Sequence, residues 1–316
     1  GGYDIFVMKH DEGGRMIWSW QVGTPACDKG RSIAVDQHGV VVLTGETAGS
    51  LAGANYGDRD AFVSKLDDSG ELIWSRQFGT PQEDYGNSVA VDSGGGVVVS
   101  GATTGDLAGP NAGHYDGFVL KYDQSGNQVW AKQIATTGYE TGTSVAVDLQ
   151  GHVLVAGGTT GRIGESEYGL YDAFLIKYDS VGATMWTRQA GTTSDDAFTC
   201  VAVDPAGNVY ATGYTNGCLG VENLGKADIL VTKVDPSGNL LWVRQIGTAG
   251  DDYGRSLAVD SSGVVYVVGY TNADLGGASS GYEDAFLLKL DATGELAWII
   301  QAGTPKSDSS PECAGV

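Results

Sequence analysis

The sequence predicts an all-β fold, a β-propeller of four-stranded antiparallel blades, and three observations carry that prediction. Trp18, Trp74, Trp130, Trp186, Trp242 and Trp298 recur every 56 residues, with no insertion or deletion between them. A fixed period in this range marks a repeat architecture. Within each period, four short runs rich in β-branched residues are separated by glycine-containing turns, the pattern of a blade. A D-x-x-G signature also returns twice per period.

The repeat spanning 86–134 shows each element. Strand A is read at 88–92, strand B at 97–103, strand C at 116–121 and strand D at 128–133. The A–B turn carries Asp92…Gly95 and the C–D turn Asp123…Gly126. Aspartate at the first turn position accepts hydrogen bonds from the backbone two residues on, and glycine at the fourth tolerates a left-handed conformation. These aspartates are therefore structural. Strand B holds glycine at Gly45, Gly101, Gly157, Gly213 and Gly269, where close approach of another backbone is the usual reason. The repeated tryptophans are expected to pack between blades. Asp60, Lys65 and Gln77, with their equivalents in every copy, read as a stabilising polar network rather than six active sites.

The full repeats run 30–78, 86–134, 142–190, 198–246 and 254–302, preceded by a C–D half blade at 1–22 and followed by a tail at 303–316. Residues 312–316 fall in register with strand A at 32–36 and keep only the alanine. The arrangement read here is one propeller of six blade positions with an incomplete closing blade. Five closed blades plus an extra hairpin, or a fragment of a longer array, are the alternatives. Cys27 and Cys313, near the two ends, would come close enough for a disulfide only if such a ring closes.

A net charge of −21 and a pI near 4.3 argue against nucleic acid or anionic membrane surfaces, which select for lysine and arginine clusters. No apolar run approaches the ~20 residues needed to span a bilayer, and residues 1–10 already belong to a repeat, so no signal peptide is read there. None of the four cysteines forms a C-x-x-C pair.

The blocks SVAVD, VVVSG-T and DAFV-K-D resemble the SBBP family of bacterial and archaeal β-propeller repeats, and the segment 200–210 also resembles NHL-type repeats. That resemblance implies a propeller, commonly in secreted or cell-surface proteins. It implies little about ligand, since one fold hosts many functions.

The A–B and C–D turns lie at one end of each blade, and the longer B–C and D–A loops at the other. Binding sites concentrate on variable loops held by a rigid scaffold. The D–A loops carry an acid in every copy: Asp28, Asp84, Glu140, Asp196, Asp252 and Asp308. A convergent ring of carboxylates would suit Ca²⁺, whereas each acid capping its own loop is the simpler alternative. Tyrosines crowd the same end, and Tyr85, Tyr115, Tyr139, Tyr171, Tyr253 and Tyr282 are candidate ligand-binding residues. Their aromatic faces suit sugars or a protein partner.

The four histidines fall at four different repeat positions, and no G-x-S-x-G elbow, H-E-x-x-H or phosphate loop occurs. The reading that follows is non-catalytic: an extracellular or cell-surface module binding glycan or protein multivalently through the loop end. A purely structural spacer is the alternative, and a hydrolase or lyase at the channel mouth is the least favoured.

Overall fold

The computed structural model describes residues 2–164, 168–219, 222–306 and 308. Every regular element among them is a strand. A two-stranded hairpin, β1 (Ile5–His10) and β2 (Met16–Val22), comes first. Five four-stranded antiparallel meanders follow. They are β3 (Asp28–Val35), β4 (Val41–Thr47), β5 (Asp60–Leu66) and β6 (Leu72–Phe78); β7 (Asp84–Val91), β8 (Val97–Thr103), β9 (Asp116–Tyr122) and β10 (Gln128–Ile134); β11 (Glu140–Val147), β12 (Val153–Thr159), β13 (Asp172–Tyr178) and β14 (Thr184–Ala190); β15 (Asp196–Val203), β16 (Val209–Thr215), β17 (Asp228–Val234) and β18 (Leu240–Ile246); and β19 (Asp252–Val259), β20 (Val265–Thr271), β21 (Asp284–Leu290) and β22 (Leu296–Ala302). The chain divides into two compact units, Gly1–Gly142 and Thr143–Val316, and the division falls within β11. Residues 312–316, including Cys313, lie outside the described residues, so the degenerate strand A and the Cys27–Cys313 pairing are not placed.

The D-x-x-G turns form as their chemistry dictates. In the first A–B turn the Gly39 N–H donates to the Asp36 carbonyl at 3.0 Å, and Asp36 Oδ1 accepts from the His38 and Val40 N–H groups at 2.8 and 2.9 Å. Gly39 has φ of +79°, and the left-handed residues among those described are the glycines of these turns. A side chain there would meet the steric cost of the left-handed region.

Strand A departs from the sequence reading. It begins at the acid, four residues before the expected start, because Asp84 pairs with Thr103 and Tyr85 with Ala102 before a bulge between Gly86 and Ser88. The charged first residue and the following Gly86 masked this extension, since both read as loop. The bulge also explains the strand B glycines. A Cβ on Gly101 would collide with the Tyr85 carbonyl oxygen and stand 2.6 Å from Phe118 Cζ.

In the first unit, Val42, Ala61, Val63 and Trp74 of one sheet pack against Val97, Val99, Phe118, Leu120 and Tyr122 of the next. The second unit repeats this arrangement, with Leu154, Ala156 and Leu175 against Phe198, Val209 and Leu230, and Val231 against Val267 and Leu288. Trp74 and Trp186 lie between sheets, as the period implied. Trp74 donates through Nε1 to the Gln124 carbonyl at 3.0 Å, with its ring against Gly126 of that turn. Trp186 does the same to Pro236 and Gly238 in the second unit.

The held Asp and Gln form the predicted polar network. Gln77 donates to Asp60 Oδ2 at 2.7 Å and to the Gly49 carbonyl, while its Oε1 accepts from the Leu51 and Ala52 N–H groups. One buried amide thus fixes the B–C loop to strands C and D, and Gln133, Gln189, Gln245 and Gln301 repeat the contact to their own aspartates. Satisfying every group of a buried amide is what makes such a residue stabilising rather than costly.

Candidate ligand-binding surface

Two sets of nominated residues lie at the loop end of the sheets, the strand A acids and the tyrosines. The acids are buried, apart from Asp308, and each serves its own loop. Asp84 Oδ2 accepts from the Thr80 N–H and hydroxyl at 2.6 and 3.0 Å, and its Oδ1 accepts from Thr103 at 2.5 Å. Asp28 is held by Thr24, Asp196 by Thr192, Asp252 by Thr248 and Asp308 by Thr304. Glu140 takes the same contacts from Thr136 at 2.7 and 2.5 Å. In that one copy the residue before the threonine is Ala135 where the others have glycine, and the acid is one methylene longer. Among the described residues no three His, Cys, Asp or Glu side chains gather into a group able to hold a metal ion. Asp28, Asp84, Glu140, Asp196, Asp252 and Asp308, the residues expected to form a Ca²⁺ ring, are not brought into such a group. The carboxylates point down into local N–H and O–H donors, and loop capping describes all six.

Burial pushes the carboxyls of Asp84, Asp196 and Asp252 above the usual range, and the neighbouring Asp60, Asp172 and Asp228 add repulsion, although the threonine hydrogen bonds oppose it. A carboxyl raised in the folded state contributes stability that is complete below the unfolded value of about 3.9 and is lost as pH rises through the folded value. Compared with Asp252→Asn, the parent chain is therefore expected to gain stability as pH falls from 8 toward 4. Urea midpoints of both proteins across that range check this, and parallel curves would refute it.

The tyrosines are brought together only in part. In the first unit, Tyr85 and Tyr115 stack at 6.2 Å between ring centroids, and Tyr115 and Tyr139 meet at 5.0 Å. The Tyr115 hydroxyl donates to Glu83 Oε2 at 2.7 Å. That bond raises the Tyr115 phenol and, with Tyr85, lowers the Glu83 carboxyl, so the phenols stay protonated beside a charged acid at neutral pH. Two guanidinium groups complete the cluster, Arg31 at 5.2 Å and Arg59 at 6.0 Å from the Tyr85 ring. Both also reach the buried Glu46: Arg31 bonds it through Nε, Arg59 through Nη1 at 3.1 Å, and Lys29 lies 3.9 Å away. A buried charge persists only with such compensation.

In the second unit, Tyr253 meets Tyr214 and Tyr270, each at 5.0 Å. Arg255 lies over Tyr253 and Tyr270 at 5.7 and 5.0 Å and donates to the Tyr270 hydroxyl at 3.0 Å. Burial and Asp195 push the Tyr214 phenol up to about 12. Tyr171 instead covers Gly158, and Tyr282 stands 80% exposed.

Tyr214, Tyr270, Arg31, Arg59, Arg255 and Glu46 were not nominated from the sequence. Their signal is variation. The sixth strand B position reads Glu46, Ala102, Gly158, Tyr214 and Tyr270, and the fourth strand A position Arg31, Asn87, Thr143, Thr199 and Arg255. These columns vary inside strands whose neighbouring columns are held.

The SBBP beta-propeller repeat family matches this chain at residues 73–108, 186–219 and 241–276. This is an SBBP-type β-propeller repeat protein. Each matched SBBP segment begins in strand D of one sheet and runs through strands A and B of the next, so the family unit includes the sheet-to-sheet junction. Among curated proteins, the SBBP chain is 23% identical to the "Uncharacterized WD repeat-containing protein L264" of Acanthamoeba polyphaga mimivirus, over 64% of this chain, and 28% identical to "Regulatory protein FlaEY" of Caulobacter vibrioides, over 54%. Each match spans 19% of the relative's own length. Among solved structures, the Neurospora crassa Pan2 WD40 domain matches with a TM-score of 0.50 at 12% identity, covering 87% of this chain and 66% of that one. This likeness extends to the fold alone.

Proposed function

We propose that this chain is a non-catalytic binding module of the cell surface or extracellular space that takes glycan ligands at the loop end of its sheets. The observation that carries the reading is the series Tyr85, Tyr115 and Tyr139, flanked by Arg31, Arg59 and Glu83. Ring faces accept the C–H face of a sugar, while guanidinium and carboxylate groups beside them satisfy its hydroxyls. The second cluster, at Tyr214, Tyr253 and Tyr270, has one arginine and acidic neighbours at Asp195 and Asp251. The two clusters therefore differ in charge, and the module is bivalent with two preferences rather than repetitive with one. Linked sites of modest affinity raise overall avidity without new contacts. A net charge of −21 fits a solvated exterior setting and neutral or cationic ligands overall.

A glycan-array screen of the chain tests this, run with Ca²⁺ and with EDTA and repeated on Tyr115→Ala. Binding to a defined sugar class is expected, unchanged by EDTA because the strand A acids are used by their own loops. Tyr115→Ala is expected to weaken it at least roughly tenfold, the loss of ~1.4 kcal/mol of contact. A silent array overturns the glycan reading and favours the structural spacer.

A further inference from the structure

The residue just before strand C and the residue just before the strand A acid of the next repeat are held as neighbours. Successive copies of this pair read Arg59 and Glu83, Tyr115 and Tyr139, Tyr171 and Asp195, and Ala227 and Asp251. Backbone hydrogen bonds fix the second copy side by side: the His114 N–H donates to the Gly138 carbonyl at 3.1 Å, and the Glu140 N–H donates to the Tyr115 carbonyl at 2.7 Å. A parallel bridge joins Arg59 to Glu83 and Tyr171 to Asp195 in the same way. In the first copy the pair carries opposite charges 4.0 Å apart. In the second it carries two phenols, with ring centroids 5.0 Å apart and planes inclined at 52°. Tyr139 is 37% exposed and Tyr115 is half-buried, so an oxidant in solution reaches the pair.

Two phenols held in contact are reactants for oxidative coupling, and fixing them beforehand removes the entropy cost of their encounter. Tyr115 also donates to Glu83 Oε2 at 2.7 Å, so its proton has an acceptor in place when an electron leaves the ring. The Arg31 and Arg59 guanidiniums stand over Tyr85 instead, where positive charge opposes electron loss. The second cluster is built the other way. Tyr253 meets Tyr214 and Tyr270 at the same 5.0 Å, but Arg255 lies over Tyr253 and Tyr270 and donates to the Tyr270 hydroxyl. A cation over the ring and a donor on the phenol oxygen both resist oxidation.

We propose that Tyr115 and Tyr139 form a redox modification site, at which a haem peroxidase and hydrogen peroxide couple the two rings through their ortho carbons into a biphenol cross-link. Each phenol gives up one electron and one proton, and the Tyr115 proton passes to Glu83. The two phenoxyl radicals join in a carbon–carbon bond, and the ortho hydrogens return to the oxygens as the rings regain aromaticity. One hydrogen peroxide takes up the two electrons and two protons and leaves as two waters. The bond ties the loop before β9 to the loop before β11, and its formation does not depend on whether the cluster takes a sugar.

The test treats the full chain, dilute and without glycan, with a haem peroxidase and hydrogen peroxide, and follows biphenol fluorescence and tryptic peptide masses. The expected product is a chain lighter by two hydrogens in which the tryptic peptides 77–121 and 133–162 are joined, with fragmentation placing the bond at Tyr115 and Tyr139. Tyr139→Phe should abolish the joined peptide. Glu83→Gln is expected to slow coupling at neutral pH at least roughly tenfold, since a positioned proton acceptor contributes about 10²–10⁴-fold. The rate should recover as pH rises and hydroxide takes the proton, a rescue that a merely structural role for Glu83 would not show. No joined peptide at an oxidant load that couples free N-acetyltyrosine overturns the proposal. So does a bond found only between chains, or coupling at Tyr253 as fast as at Tyr115.

Discussion

Lys177→Met is expected to destabilise the second unit by about 3–5 kcal/mol, the cost of leaving one member of a buried ion pair unpaired. Lys177 Nζ lies 3.0 Å from Asp148 Oδ2, with the two side chains only 2% and 1% exposed. Asp148 opens the β11–β12 turn and also accepts from the Gln150 and His152 N–H groups and the His152 ring. Burial opposes its charge, but these donors and Lys177 hold its carboxyl below the usual range. A carboxyl lowered in the folded state contributes stability present above the unfolded value and lost as pH falls through the folded one. Removing Lys177 should therefore cost most at neutral pH and least in acid. Denaturant midpoints at pH 7 and pH 3 measure this, and an equal loss at both would show that lysine packing, not charge, matters.

Gly101→Ala is the second large effect, expected at or above about 3 kcal/mol, the upper end for forcing one methyl into a filled core. The new Cβ meets the Tyr85 carbonyl and the Phe118 ring, and the carbonyl belongs to a bulged backbone that cannot rotate away without breaking the Asp84–Thr103 pairing. Gly269→Ala, against Tyr253 and Phe286, should behave alike in the second unit. Gly53→Ala is the control, since its Cβ would have only ordinary contact with Gln77 at 3.5 Å. Equal midpoints for Gly101→Ala and Gly53→Ala would refute the argument.

These two cases mark what was legible in the sequence. Gly101 was readable because an internal repeat compares a chain with itself: five glycines at one strand B position demand a local cause, and the bulge supplies it. The turn aspartates and the tryptophans were readable for the same reason. The acids at Asp84 and its equivalents were held just as strictly, yet held position alone does not tell a metal ligand from a cap. Only the direction of the side chain, into Thr80 and Thr103, separates them. The binding clusters were half legible. Tyr85, Tyr115 and Tyr139 stood out as aromatics, but Arg31 and Arg59 did not, because their meeting depends on Glu46, a residue of another strand in a column where glutamate occurs once.

The reach of the tryptophans has a consequence for how such a chain lengthens and folds. Trp18 meets Asp68, Trp74 meets Gln124 and Trp186 meets Pro236, each 50 residues onward. Each of these three junctions is thus written within one period and its successor. Stability in such a system is approximately a sum of unit and nearest-neighbour contributions, and folding can start at any unit and spread. A duplication or loss of one 56-residue period would leave a junction of this kind with its proper partner, while the columns at Arg31 and Glu46 are where the copies differ.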